Sequence, residues 1–142
     1  MTTRRDRLAV VLKVRKIQEE RRQADLARAL AAAAVAESHA DRARERYAAG
    51  VAVPQVLGAA AFVAARAMAG GRAEQVAVTR SRHELAVGES DRARALLTEA
   101  MTRTSGLERL VEREDFVMLR EMLAADQRNA EESSGAVRRV LS

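Results

Sequence analysis

The chain has 142 residues, of which 25 are Lys or Arg and 20 are Asp or Glu, giving a formal net charge of +5. It is 48% hydrophobic but only 2% aromatic, with no Trp and no Cys. Disulfides, thiol catalysis and Cys-based zinc sites are therefore excluded. A core built on large rings lacks its material, and the Ala-dominated remainder favours thin helical packing.

In chain order, the first predicted element is a long helix over 4–49, a stretch without Gly before Gly50 and without Pro. Thr3 and Asp6 are spaced as a capping box, in which each side chain satisfies an amide of the first turn that has no helical partner. A helix of that length needs a partner along its side. Gly50 is the natural stop, and residues 50–71 read as a turn containing a short helix, with Pro54 at its first turn and a body over 55–69. Gly70-Gly71 reads as the next break. A second long helix is predicted over 72–137, with weak points at Gly88, Gly106 and Gly135 and a bend at Ser105-Gly106.

Steps of four and three residues from Leu8 pass through Leu12, Arg15, Glu19, Arg22, Leu26, Ala29, Ala33, Ala36, Ala40, Ala43 and Tyr47, the spacing of a coiled-coil seam. Leu97, Ala100 or Met101, Thr104, Leu107, Val111, Met118, Met122 and Ala125 follow a similar course, and Phe116 reads as another residue facing the first helix. Charge supports the same pairing. Residues 1–28 hold nine basic and four acidic side chains, a net of +5, and residues 108–132 hold four basic and eight acidic, a net of −4. Doubling back brings Arg4, Arg5, Arg7, Lys13, Arg15 and Lys16 beside Glu108, Glu112, Glu114, Asp115, Glu121 and Asp126. Exposed pairs stabilise little, so they select orientation. The expected fold is all-α: one domain over 1–142, an elongated antiparallel two-helix coiled coil with a short helical segment at the hairpin turn.

Catalytic chemistry is not expected. His39 and His83 stand apart, without metal-ligand spacing. Gly70-Gly71-Arg72 lacks the further glycines, Lys and Ser/Thr of a phosphate loop. Glu19-Glu20 and Glu131-Glu132 are sequence neighbours and point in different directions on a helix, so they make poor acid-base pairs. No catalytic residue, metal ligand or cofactor is assigned. The most apolar window, 51–65, is too short for a membrane span and contains Pro54 and Gln55, and the apolar run after the basic start is broken by Lys13, Arg15 and Lys16, unlike a secretory leader. A basic balance suits nucleic-acid binders. Here the excess is matched by the acidic second helix and lacks stacking aromatics, so no specific nucleic acid is expected.

The stretch Arg7-Leu8-Ala9-Val10-Val11-Leu12-Lys13-Val14-Arg15-Lys16-Ile17-Gln18-Glu19-Glu20 resembles the opening of the flagellar export protein FliJ family, a Leu/Val-rich pattern followed by Arg and Glu before an Ala-rich helix. Leu107-Glu108-Arg109-Leu110-Val111-Glu112-Arg113-Glu114 is similar to that family's late helical segment, which leads into a polar tail like Gln127-Arg128-Asn129-Ala130-Glu131-Glu132. The chain lacks the Trp and the Lys-rich late helix common in many members.

The resemblance implies a non-enzymatic component of the flagellar type III protein-export apparatus, serving flagellum biogenesis and thereby chemotaxis. Such a protein is cytoplasmic and peripherally associated with the inner-membrane export apparatus through its partners. Those partners are the export ATPase, whose ring the stalk engages and regulates, the cytoplasmic domain of the export gate, and substrate chaperones that it helps to recycle. By position, Tyr47 and Phe62 either anchor the gate or cover the hairpin turn as local core, with Arg66 and Ala69 at the border of that surface. Arg4, Arg5, Arg7, Lys13, Arg15 and Lys16 either contact the ATPase or pair within the chain. The alternatives are a basic coiled-coil nucleic-acid-binding protein and a generic coiled-coil scaffold or chaperone.

Overall fold

A computed structural model describes residues 3–51 and 58–142. The described residues form two long helices packed against each other, α1 (Arg4–Val51) and α2 (Ala59–Leu141), with no strand among them. The all-α two-helix hairpin is the architecture expected.

The start of α1 is capped as its sequence predicts. The Asp6 amide donates to Thr3 Oγ1 at 3.2 Å and the Thr3 amide donates to Asp6 Oδ2 at 3.1 Å, so each residue satisfies the other's free donor. At the start of α2, the Phe62 amide donates to the Gly58 carbonyl at 2.9 Å.

Two expectations about helix ends are corrected. Gly50 lies within the last turn of α1, which runs to Val51. Gly70 and Gly71 lie inside α2, as do Gly88, Gly106 and Gly135, and none has a positive φ. Much of the segment expected as a separate short helix is therefore the first part of α2, from Ala59 on; Pro54 and Gln55 lie outside the described residues. α2 is unbroken through Ser105-Gly106. A helical Gly costs only about 1 kcal/mol relative to Ala, and the Ala, Leu, Arg and Glu around these positions favour continuation.

Contacts divide the chain into two units. One comprises Met1–Glu19 and Ala100–Ser142, the other Glu20–Glu99. In the first unit, Arg4 pairs with Glu114 at 3.4 Å, Arg5 with Asp115 at 2.8 Å, and Lys16 with Glu108 at 3.4 Å. Advancing along α1 retreats along α2, so the helices are antiparallel. That register sets Leu12 level with Leu107 and Leu8 level with Val111, and all four are partly covered.

In the second unit the seam is built from small side chains. Ala40 and Ala43 of α1 are buried, as are Thr79 and Ser90 of α2. Small residues let two helix backbones approach closely. The buried hydroxyls bond within their own helix: Thr79 Oγ1 donates to the Gln75 carbonyl at 2.7 Å, and Ser90 Oγ donates to the Val87 carbonyl at 2.8 Å. In the first unit Thr104 does the same to Ala100 at 2.9 Å. Among the described residues no buried side-chain polar atom lacks a partner, so hydroxyls at seam positions cost little.

The predicted seam of α1 is half-buried or buried at Leu8, Leu12, Arg15, Glu19, Leu26, Ala29, Ala33, Ala36, Ala40 and Ala43, while Arg22 and Tyr47 are exposed. The late seam of α2 is corrected at three positions: Phe116, Met118 and Met122 are exposed, while Ala125 is half-buried as expected, and Ala100 takes the seam position in preference to Met101. With Arg5 paired to Asp115, α1 has almost no residues left to cover the remainder of α2.

Candidate partner-contact surfaces

The basic residues nominated near the start of α1 do not form one face. Arg4, Arg5 and Lys16 are held by Glu114, Asp115 and Glu108 on α2. The hydrogen bond and charge of Asp115 raise the Arg5 pKa above its ordinary value. Arg15 is half-buried at a seam position and donates to Gln18 Oε1 at 3.0 Å. Arg7 and Lys13 are exposed and make no ion pair among the described residues. Of the six cations, these two are the ones held neither by a partner nor by the seam.

The aromatics of the second unit are not absorbed by packing. Phe62 is 57% exposed and Tyr47 is 41% exposed. A ring used as local core would be covered. Arg66 is also exposed, whereas Ala69 is half-buried in the seam. Phe62 and Tyr47 are not neighbours. Arg72 lies against Gly50, so Tyr47 is level with α2 a few residues from Gly71, and Phe62 sits roughly 20 Å away along the axis at 1.5 Å per residue.

Near the end of α1 is a groove of about 330 Å³, lined by Ala43, Arg46, Met68, Gly71, Arg72 and Gln75. At Gly71 no atom lies within 4 Å of where its β-carbon would be. Arg72 closes one side by laying its guanidinium over Gly50 at the end of α1. The last turn of α1 has no basic residue of its own, so Arg72 supplies the cation that the negative end of the helix dipole favours. In the sequence, Gly71 and Arg72 register only as a helix break; what marks them as paired with α1 is Arg72's position in step with Val76 and Thr79.

The first unit carries a second apolar set that the sequence pattern followed from Leu8 does not include. On α1, Val10, Val14 and Ile17 repeat at four and three residues and are exposed. On α2, Phe116, Leu119 and Leu123 repeat at three and four and are 60%, 52% and 59% exposed. Both sets lie on faces turned away from the seam. Their signal in the sequence is a second 3.5-residue repeat, offset from the first.

Among the described residues no group of three or more His, Cys, Asp or Glu is placed to hold one metal ion. No described helix is long and apolar enough to cross a membrane. No protein-family model, curated protein or solved structure matches the chain.

Proposed function

We propose that this chain is a non-enzymatic coiled-coil stalk of a flagellar type III protein-export apparatus. In this reading it engages the export ATPase ring and the export gate and assists the recycling of substrate chaperones, and it is held at the inner membrane through those partners alone. The observation that carries the reading is the exposure of Tyr47 and Phe62 on a hairpin whose seam is built from small residues. Large aromatics left over from packing suit the role of interface anchors.

Antiparallel pairing and the basic opening of α1 support the same reading, as does the family resemblance of residues 7–20 and 107–114. Arg7 and Lys13 take the leading part toward the ATPase, because Arg4, Arg5 and Lys16 are engaged by α2 and Arg15 by the seam. A stalk of this kind stimulates hydrolysis without binding nucleotide, by binding the assembled or closed ring more tightly than the open one; a ligand shifts an equilibrium only by that difference.

The test titrates the protein into a purified flagellar export ATPase while following turnover and ring assembly, and in parallel measures binding to the gate's cytoplasmic domain. Wild-type protein raises turnover. Arg7→Glu with Lys13→Glu reduces the stimulation with helix content unchanged, and Tyr47→Ala with Phe62→Ala weakens gate binding alone. Turnover that stays flat at saturating stalk concentrations rules out the stalk mechanism.

A further inference from the structure

We propose that one flank of the second unit receives an acidic amphipathic helix from a partner protein. The hairpin's own register defines that flank. The seam of this unit passes through Ala40 and Ala43 on α1 and through Arg72, Val76, Thr79 and His83 on α2, all buried or half-buried. At about 3.6 residues per turn, Arg42 and Arg46 of α1 fall on one side of their seam, and Gln75, Val78 and Arg82 of α2 fall on one side of theirs. Asp41, Arg44, Arg80 and Glu84 fall on the opposite sides. The groove fixes which sides lie together, since Arg46 lines it with Met68, Arg72 and Gln75.

Charge is sorted between the two flanks. On the far flank, Arg44 pairs with Asp41, and Arg80 pairs with Glu84 at 3.2 Å. Arg42, Arg46, Arg72 and Arg82 make no ion pair among the described residues. Over 39–46 and 68–82 no acid shares their side, because Glu45 and Glu74 take positions on the outer faces, away from the seam. The four cations form a row. Arg72 and Arg46 meet at the groove, Arg42 stands one turn further on, and Arg82 lies roughly 15 Å along α2 from Arg72 at about 1.5 Å per residue. Like charges in a row repel one another, and the far flank relieves this by interleaving acids. The near flank leaves its complement to a partner.

The row also carries apolar surface. Met68 and Val78 are exposed on this side, and Ala43 lines the groove. Guanidinium groups recognise carboxylates through paired hydrogen bonds. On a helix, carboxylates three or four residues apart stand roughly 5–6 Å from one another, which suits four arginines sharing a row of about 15 Å. The matching occupant is a helix with Glu or Asp at that spacing and apolar side chains beside them, laid along the flank. A nucleic-acid backbone matches the cations but sets Met68 and Val78 against phosphate. The flank is a property of these residues, whether or not the partner belongs to an export apparatus.

The experiment follows fluorescence anisotropy as the full chain is added to a labelled helical peptide with Glu at three- and four-residue spacing beside Leu, at physiological salt. A control peptide has Gln at every Glu. Wild-type protein is expected to bind the Glu peptide at least about tenfold more tightly than the Gln peptide. Arg46→Gln with Arg82→Gln is expected to weaken Glu-peptide binding by about tenfold or more while circular dichroism retains the helix content, since both residues are exposed. Arg44→Gln with Arg80→Gln removes the same formal charge from the far flank and is expected to leave binding unchanged. Failure of the Glu peptide to bind at about 1 mM, or equal binding of the two peptides, overturns the proposal. Equal losses from the two double variants overturn the flank as the site and leave only attraction to net charge. A generic DNA duplex that binds more tightly than the Glu peptide, through the same two arginines, overturns the acidic helix as occupant. Self-association in sedimentation velocity that Arg46→Gln with Arg82→Gln abolishes does so too, and gives the flank to a second copy.

Discussion

Arg72 reaches from α2 and lays its guanidinium over Gly50, in the space a β-carbon at residue 50 would occupy. The two positions are coupled: the absence of a side chain at one makes room for the cation of the other, at the end of α1 where the helix dipole favours positive charge. Arg72→Ala is expected to lower stability by roughly 0.3–1 kcal/mol through loss of that interaction. Gly50→Ala improves helix propensity but displaces the flexible guanidinium, so its net effect is expected to be smaller than a gain at an open site. Thermal melts of both variants and of the double variant check this; in the double variant the Gly50→Ala gain should reappear.

Open glycines provide the comparison. Gly70, Gly71, Gly88 and Gly106 are helical, and nothing lies within 4 Å of the β-carbon each lacks. Substitution by Ala at each is expected to raise stability by about 0.5–1 kcal/mol, from backbone entropy and helix propensity. Chemical denaturation midpoints measure it. A loss at Gly71 alone, where the groove lies, would indicate that its opening matters for packing.

The small-residue seam should resist enlargement. Ala40 and Ala43 are 5% and 4% exposed; a Leu at 40 has nowhere to go without separating the helices, whereas a Leu at 43 borders the groove. Ala40→Leu is expected to cost about 1–3 kcal/mol, the range for overpacked interiors, and Ala43→Leu less. Tyr47→Ala, one helical turn on from Ala43 but exposed, should change stability far less. Denaturant melts of the three variants side by side decide between a tight seam and a loose one.

The cap of α1 predicts a local acid sensitivity. The side-chain and backbone hydrogen bonds with Thr3 hold the Asp6 carboxyl below its ordinary value of 3.8. A carboxylate with a depressed folded-state pKa contributes stability that is present above its unfolded value and lost as pH falls through the folded one. The first turn of α1 should therefore fray as pH drops below about 4, and Asp6→Asn should remove that dependence. Residue-resolved hydrogen exchange over 3–10 reads the effect directly.

Salt dependence separates the export reading from a nucleic-acid-binding one. Three of the basic side chains near the start of α1 are already paired with α2, so few remain to displace counterions from a duplex. Binding to generic DNA or RNA is expected to be weak at physiological salt. Tight association that falls steeply as salt rises would be the signature of phosphate recognition, and would favour the rival function.

Much of the fold is legible in the amino-acid sequence, and the reason is local. Helix propensity, the Thr3 and Asp6 cap and the four-and-three repeat from Leu8 to Ala43 all act over a turn or two, so they are written in consecutive residues. The opposite charges of residues 1–28 and 108–132 are enough to orient the hairpin. Which glycines interrupt a helix is not legible, because a Gly only lowers the preference for helix, and the helix-favouring residues around Gly70 and Gly71 outweigh it. Nor is the extent of pairing. The point at which α1 runs out opposite Asp115 depends on the register between helices, and that register exposes Phe116, Met118 and Met122, which share their apolar character with true seam residues. Composition likewise supplies Arg4, Arg5 and Lys16 as candidate contacts, but only distances across the seam show that they are held by Glu114, Asp115 and Glu108 while Arg7 and Lys13 remain exposed.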